Sequence, residues 1–119
     1  MVGAGPAGLY FALLAKKADP MRHIEVFERN AAGDTFGWGI VFSDQALDNL
    51  RAADAATHRA ITQAFHRWED IDVHYRGERL RTTGHGFAGI ARATLLDILR
   101  AGGREAGVIL HDNVRIDAA

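Results

Sequence analysis

The sequence contains no cysteine, one serine and two prolines among its 119 residues. Without cysteine the chain can form no disulfide and supplies no thiolate nucleophile or cysteine-ligated metal centre. The longest apolar run, Ala7–Ala15, is far shorter than the roughly 20 residues that a membrane-spanning helix needs. No basic segment precedes it, as one would in a signal peptide. Ser43 stands in Phe-Ser-Asp rather than in a Gly-x-Ser-x-Gly elbow, which argues against a serine hydrolase. We expect a cytoplasmic chain that spans no membrane.

The charge balance excludes further classes of partner. Fourteen Lys and Arg residues face 15 Asp and Glu residues, for a net charge of −1. Nucleic acids and anionic membranes favour a strongly basic face, so neither partner is expected. Six histidines stand at positions 23, 58, 66, 74, 85 and 111, but none forms a His-Glu-x-x-His pair, so no metal site is predicted. The sequence shows no internal repeat or linker, which favours one continuous globular unit.

Apolar spacing and helix-breaking residues predict an alternating order of helices and strands. The predicted helices are Leu9–Ala15 with Lys16 and Lys17 in its last turn, Asp44–Ala53 capped by Ser43, Thr57–Trp68, and Arg92–Ala106 ended by Gly107. The predicted strands are His23–Glu28, a hairpin of Ile71–Arg76 and Glu78–Thr83 joined near Gly77, and Val108–Leu110. Gly33–Phe42 is predicted to be irregular, with Ile40–Phe42 as an alternative short strand. The first helix is apolar nearly all round and is expected to be buried against a parallel sheet.

The strongest motif is a glycine-rich turn, Gly3-x-Gly5-x-x-Gly8. It follows a short strand remnant and opens a helix, and Glu28 lies 20 residues after Gly8 at the end of the next strand. This is close to the spacing of the dinucleotide-binding fingerprint. In that fingerprint the glycines allow a tight turn, close approach of a pyrophosphate and close helix packing, while the acidic residue binds a ribose diol. The motif predicts FAD or NAD rather than NADP, whose 2′-phosphate Glu28 would repel; the alternative is a plain strand-to-helix turn.

Several stretches resemble one group of flavoproteins. Gly5-Pro6-Ala7-Gly8-Leu9 followed by Glu28-Arg29-Asn30 is similar to the FAD-binding start of flavoprotein aromatic hydroxylases of the para-hydroxybenzoate hydroxylase class. The stretches Thr35–Asp44, Ile71–His74 and Gly84–Arg92 resemble the salicylyl-CoA 5-hydroxylases and anthraniloyl-CoA monooxygenases. The resemblance covers essentially the whole chain. It implies a Rossmann-like FAD-binding domain with a parallel sheet, helices and an inserted β-hairpin.

The resemblance also implies a reaction and a set of cofactor-binding residues. NADH or NADPH would reduce FAD, and the reduced flavin would use O2 to hydroxylate an aromatic acyl-CoA thioester. The implied FAD-binding residues are Gly3, Gly5, Pro6, Ala7, Gly8, Glu28, Arg29, Trp38, Gly39 and Arg92. Gly37-Trp38-Gly39 would line the flavin ring, and Arg92 would contact the phosphates or the ribityl chain. The alternatives are core packing for Trp38 and a solvated helix start for Arg92.

Only Met1 and Val2 precede Gly3, and the later motifs of these hydroxylases do not appear. We therefore expect the 119 residues to form the N-terminal part of an FAD-binding domain, inactive alone. Two alternatives remain: an NAD-binding module without oxygen chemistry, and a non-functional truncated chain. The sequence identifies no catalytic acid or base, and it leaves the oligomeric state open.

Overall fold

A computed structural model of the chain describes residues 1–84 and 86–117. The described helices are α1 (Pro6–Ala18), α2 (Asp44–Ala53), α3 (Ala55–Gln63) and α4 (Arg92–Ala106). The strands are β1 (Glu25–Phe27), β2 (Gly39–Phe42), β3 (His66–Trp68), β4 (Ile71–Tyr75), β5 (Glu78–Thr82), β6 (Phe87–Ala91) and β7 (Ile109–His111). This is a mixed α/β fold, as predicted.

A small parallel sheet carries the N-terminal turn. Strand β1 pairs in parallel with β7, with Glu25 opposite Ile109. On its other side β1 forms a parallel bridge from Phe27 to Val2, and the Gly3 amide donates to the Phe27 carbonyl at 2.8 Å. Helix α1 connects the first segment to β1, so the chain begins with the predicted β-α-β unit. This arrangement places the glycine turn and the end of β1 at the same edge of the sheet.

The segment between β1 and α4 is an antiparallel layer that the sequence predicted only in part. Its sheet has the order β2-β6-β3, and β4 and β5 form the predicted hairpin. The prediction of one helix over Thr57–Trp68 is wrong, because α3 ends at Gln63 and the segment beginning at His66 is strand β3. The rings of Trp68 and Phe87 stack across β3 and β6 with centroids 5.7 Å apart. This long-range pairing overrides the helical spacing of the apolar residues.

The core lies where α1 and α4 pack together over the parallel sheet. The largest fully buried side chains are Leu9, Leu13, Val26 and Ile61. The expectation that α1 is buried against the sheet rather than half-exposed is wrong for its outer face, since Phe11 is 63% exposed. The helix buries one stripe, because its packing partners α4 and β1 lie along that stripe.

Local signals at the element ends behave as predicted. The Ser43 hydroxyl accepts a hydrogen bond from the Ala46 amide at 3.2 Å and caps α2. Gly107 ends α4 in the left-handed conformation with φ 96°. The hairpin turn places Arg76 at φ 50° and Gly77 at φ 81°, as a type I′ turn requires. Among the residues described, no helix is long and apolar enough to cross a membrane.

Candidate dinucleotide-binding site

A different structural feature explains the presence of glycine at each of the three motif positions. Gly3 has φ +95°, a conformation that makes the tight turn out of the first strand. A Cβ on Gly8 would lie 2.2 Å from the Gly3 carbonyl oxygen, so only glycine lets α1 approach this turn. A Cβ on Gly5 would meet nothing within 4 Å. The backbone at Gly5 therefore faces open space that a ligand can enter.

The N-terminus of α1 is suited to an anion. Gly5 is its N-cap and supplies no side-chain hydrogen bond, and the first turn contains no acidic residue. Pro6 occupies the start of the helix, and the first helical hydrogen bond runs from the Leu9 amide to the Gly5 carbonyl at 3.0 Å. The amides of the first turn and the helix dipole thus point toward the open space beside Gly5. Ala7, in the same turn, is exposed.

Glu28 follows β1 directly and turns back to the glycine turn. Its Oε2 accepts a hydrogen bond from the Ala4 amide at 2.8 Å. Its Oε1 accepts from the Asn30 amide at 3.0 Å and from the Asn30 side chain at 2.8 Å. The hydrogen bonds from the Ala4 and Asn30 amides hold the pKa of Glu28 below its ordinary value, despite partial burial. The carboxylate is therefore charged at neutral pH and is fixed beside the turn.

A cavity of about 70 Å³ brings Gly5, Glu28 and Arg92 together, although they are far apart in sequence. Arg92 begins α4, where its amide donates to the Trp38 carbonyl at 3.2 Å. Two polar atoms of cavity-lining residues, Arg92 Nε and Thr35 Oγ1, are buried without a hydrogen-bond partner in the described chain. Since buried polar groups are almost always paired, both atoms mark a place for a polar ligand. The Nε atom of Arg92 is thus buried, while the residue as a whole is half-buried.

A second arginine of the same cavity is already neutralised. Arg100 forms a two-pronged ion pair with Asp112, at 3.0 and 2.7 Å. The side chains of Arg100 and Asp112 are 10% and 15% exposed. Arg92 is therefore the cation available to a ligand in this cavity. The sequence predicted no site role for Thr35, although Thr35 begins the Thr35–Asp44 stretch, and none for the Arg100–Asp112 pair, which belongs to no spaced motif.

A larger cavity of about 470 Å³ adjoins the first, and Glu28 lines both. Its other lining residues include Gly3, Arg29, Asn30 and the segment Val114–Asp117. Glu28 is thus placed between a small polar cavity at the helix N-terminus and a larger cavity beyond β1. An elongated ligand with a central diol and a phosphate on one side matches this order.

The three residues of the Gly37-Trp38-Gly39 stretch differ in exposure and packing. Trp38 is 97% exposed, so the alternative of core packing is wrong. Gly37 has φ +95°, and a Cβ there would lie 3.8 Å from Arg92 Cδ. Gly39 has a packing reason of its own, because a Cβ there would lie 3.1 Å from the Ile90 carbonyl of β6. His85, in the Gly84–Arg92 stretch, lies outside the described residues.

No protein-family model matches the chain. A salicyloyl-CoA 5-hydroxylase from a Streptomyces species is 46% identical over 116 residues, which cover 96% of this chain and 22% of that relative. Protodeoxyviolaceinate monooxygenase of Chromobacterium violaceum is 33% identical, over 93% of this chain and 30% of that protein. These similarities confirm the predicted resemblance to aromatic monooxygenases. The chain spans less than a third of the length of these relatives.

Solved structures show the same fold at lower sequence identity. The tetrameric form of 2-methyl-3-hydroxypyridine-5-carboxylic acid oxygenase superposes with a TM-score of 0.77 at 23% identity, covering 94% of this chain and 30% of that one. CtdE in complex with FAD superposes with a TM-score of 0.74 at 23% identity, covering 96% of this chain and 29% of that one. The fold of the chain is therefore that of a part of these proteins.

Proposed function

We propose that the chain is the FAD-binding portion of a flavoprotein monooxygenase that hydroxylates an aromatic acyl-CoA thioester. The observation that carries the proposal is the cavity at which Gly5, Glu28 and the unpartnered Nε of Arg92 meet. The similarity to salicyloyl-CoA 5-hydroxylase supports the substrate class. The likeness to CtdE, whose solved structure is a complex with FAD, supports the cofactor.

The residues of the site suit the ADP half of FAD. The pyrophosphate would lie at the N-terminus of α1, where a side chain at position 5 would occupy its space, and within reach of Arg92. Glu28 would accept a hydrogen bond from a ribose hydroxyl at Oε2, which accepts only from the Ala4 amide and has a lone pair to spare. The adenine would enter the larger cavity beside Arg29. Thr35 would donate its free hydroxyl to a phosphate oxygen.

Bound FAD, reduced by NADH or NADPH, supplies the oxygen chemistry of the proposed reaction. The overall reaction takes the aromatic thioester, O2, NAD(P)H and a proton to the hydroxylated thioester, NAD(P)⁺ and water. The residues described here orient the cofactor and compensate its phosphate charge. Exposed Trp38 would lie along the flavin end, next to the backbone that anchors Arg92.

Binding of FAD to variants of the chain tests the proposal. Gly5→Ala adds a methyl group to open space at an ordinary φ of −71°, so the fold should be unaffected while the phosphate loses its place. Arg92→Gln removes the free cation and should raise the FAD dissociation constant about 10- to 100-fold, the value of one or two charge-assisted hydrogen bonds. Flavin fluorescence measures both effects.

Matched controls separate ligand contact from fold damage. Gly103→Ala places its new Cβ 3.8 Å from Val108, an ordinary contact, and Arg104→Gln changes an exposed arginine of the same helix as Arg92. Both controls should bind FAD like the unchanged chain. Equal affinity in the Gly5 and Arg92 variants and their controls would refute the placement. Displacement of FAD by NAD would favour an NAD-binding module instead.

A further inference from the structure

Arg100 lines the small cavity beside Glu28 and Arg92, but its charge is already balanced. Both of its terminal nitrogens donate to the Asp112 carboxylate, at 3.0 and 2.7 Å, and both side chains are largely buried. An apolar pair would stabilise such a place about as well as an ion pair does. The two-pronged ion pair adds what an apolar contact lacks, which is a fixed distance and orientation between α4 and the end of β7.

The acidic member of this pair lies next to Glu28 at the edge of the parallel sheet. Asp112 directly follows β7, as Glu28 directly follows β1. The two strands pair in parallel, with Phe27 opposite His111. Asp112 and Glu28 are therefore neighbours at the carboxyl ends of the strands, where open α/β sheets bind their ligands.

Backbone hydrogen bonds join the turn after β7 to the turn after β1. The Glu28 amide donates to the His111 carbonyl, and the Glu28 carbonyl accepts from the Val114 amide, both at 2.8 Å. The Asn113 amide donates to the Asn30 carbonyl at 3.1 Å. Asn113 has φ 59°, a left-handed conformation that asparagine tolerates better than most residues. Both backbone groups of Glu28 are therefore held by the segment that the ion pair anchors to α4.

Asn30 transmits the position of this turn to the Glu28 carboxylate. The Asn30 amide and side chain donate to Glu28 Oε1 at 3.0 and 2.8 Å. Glu28 Oε2 accepts from the Ala4 amide at 2.8 Å and keeps a lone pair for a ligand. Because hydrogen bonds weaken steeply with distance and angle, a displacement of the turn would misdirect this lone pair.

We propose that Arg100 and Asp112 are positioning residues, whose ion pair fixes the turn after β7 and thereby orients the Glu28 carboxylate toward a ribose hydroxyl. This inference rests on the proposed function, in which Glu28 binds the ribose of the ADP half. The ion pair itself touches no ligand, and it acts through the backbone hydrogen bonds between the two turns. A lysine at position 100 would keep the charge but not the two-pronged geometry.

The preference of the chain for ADP over 2′,3′-dideoxy-ADP measures the ribose hydrogen bond, because the two nucleotides differ only in the ribose hydroxyls. NMR titration of the unchanged chain should show an affinity about tenfold higher for ADP, the value of one charge-assisted hydrogen bond. Arg100→Met combined with Asp112→Leu removes the ion pair without changing the net charge. This paired change should reduce the preference to about twofold and leave the affinity for dideoxy-ADP nearly unchanged.

The preference separates positioning from other roles of the pair. Loss of folded chain, or a direct contact of Arg100 with phosphate, would weaken both nucleotides equally and leave the preference unchanged. Arg100→Lys should lower the preference to an intermediate value. In a Glu28→Gln background, which lacks the preference, the paired change should have no further effect.

A matched control is the exposed ion pair of Arg51 and Asp48 on α2. Arg51→Met combined with Asp48→Leu should keep the full preference for ADP. An unchanged preference in the Arg100 variants would overturn this inference and leave the proposed function standing. No preference in the unchanged chain would refute the ribose contact of the proposed function, and this inference with it.

Discussion

Replacement of Gly8 by alanine tests the close packing of the glycine turn. The added Cβ would lie 2.2 Å from the Gly3 carbonyl oxygen, so helix and turn must separate by nearly an ångström. Helix α1 carries the fully buried Leu9 and Leu13, and its displacement disturbs the core. Overpacking of this kind costs about 3 kcal/mol, and the better helix propensity of alanine returns about 1 kcal/mol.

The net loss for Gly8→Ala is therefore about 2 kcal/mol in the free energy of unfolding. For a chain of this size that loss lowers the melting temperature by about 8 °C. Urea unfolding followed by circular dichroism measures it. Gly5→Ala is the matched control in the same turn, because its Cβ meets nothing within 4 Å, and it should change stability by less than about 0.5 kcal/mol. Equal effects of the two substitutions would refute the packing argument.

Three further predictions concern stability. Because the pKa of Glu28 is lowered in the folded state, its carboxylate stabilises the fold above the unfolded-state pKa, and this stabilisation is lost as the pH falls through the folded value. In Glu28→Gln, the urea concentration at the unfolding midpoint should therefore fall less between pH 7 and pH 3 than in the unchanged chain. Arg100→Met should cost about 3 kcal/mol by leaving the partly buried Asp112 carboxylate unpaired. Adding Asp112→Leu should recover most of that loss, as urea unfolding of both variants will show. Ser43→Ala should cost about 1 kcal/mol through the lost cap of α2, measured the same way.

Local chemistry allowed several elements to be predicted from sequence. Ser43 before α2, Gly107 after α4 and Gly77 in the hairpin each act through their own backbone conformation or hydrogen bond. Such signals need no distant partner. The glycine turn and Glu28 were predictable for a similar reason, since their spacing follows from the geometry of one β-α-β unit.

The features that were not predicted depend on partners far along the chain. The spacing of Ile61, Phe65 and Trp68 suits a helix, but the rings of Phe65 and Phe42 pack at 5.5 Å and Trp68 stacks on Phe87 of β6. Strand β6 was not predicted at all. Arg100 finds Asp112 only because α4 and β7 fold side by side. Contacts with residues far along the chain determine the secondary structure of these segments, and the spacing of apolar residues along the chain carries no information about such contacts.

An NMR titration of the isotope-labelled chain with FAD tests the proposed cofactor site most directly, because it locates the ligand residue by residue. We predict the largest amide shifts at Gly5, Gly8, Glu28 and Arg92, with the hairpin β4–β5 unaffected, and no displacement of FAD by NAD. Shifts that avoid these four residues, or a folded chain that shows no shifts with FAD, would contradict the proposed site.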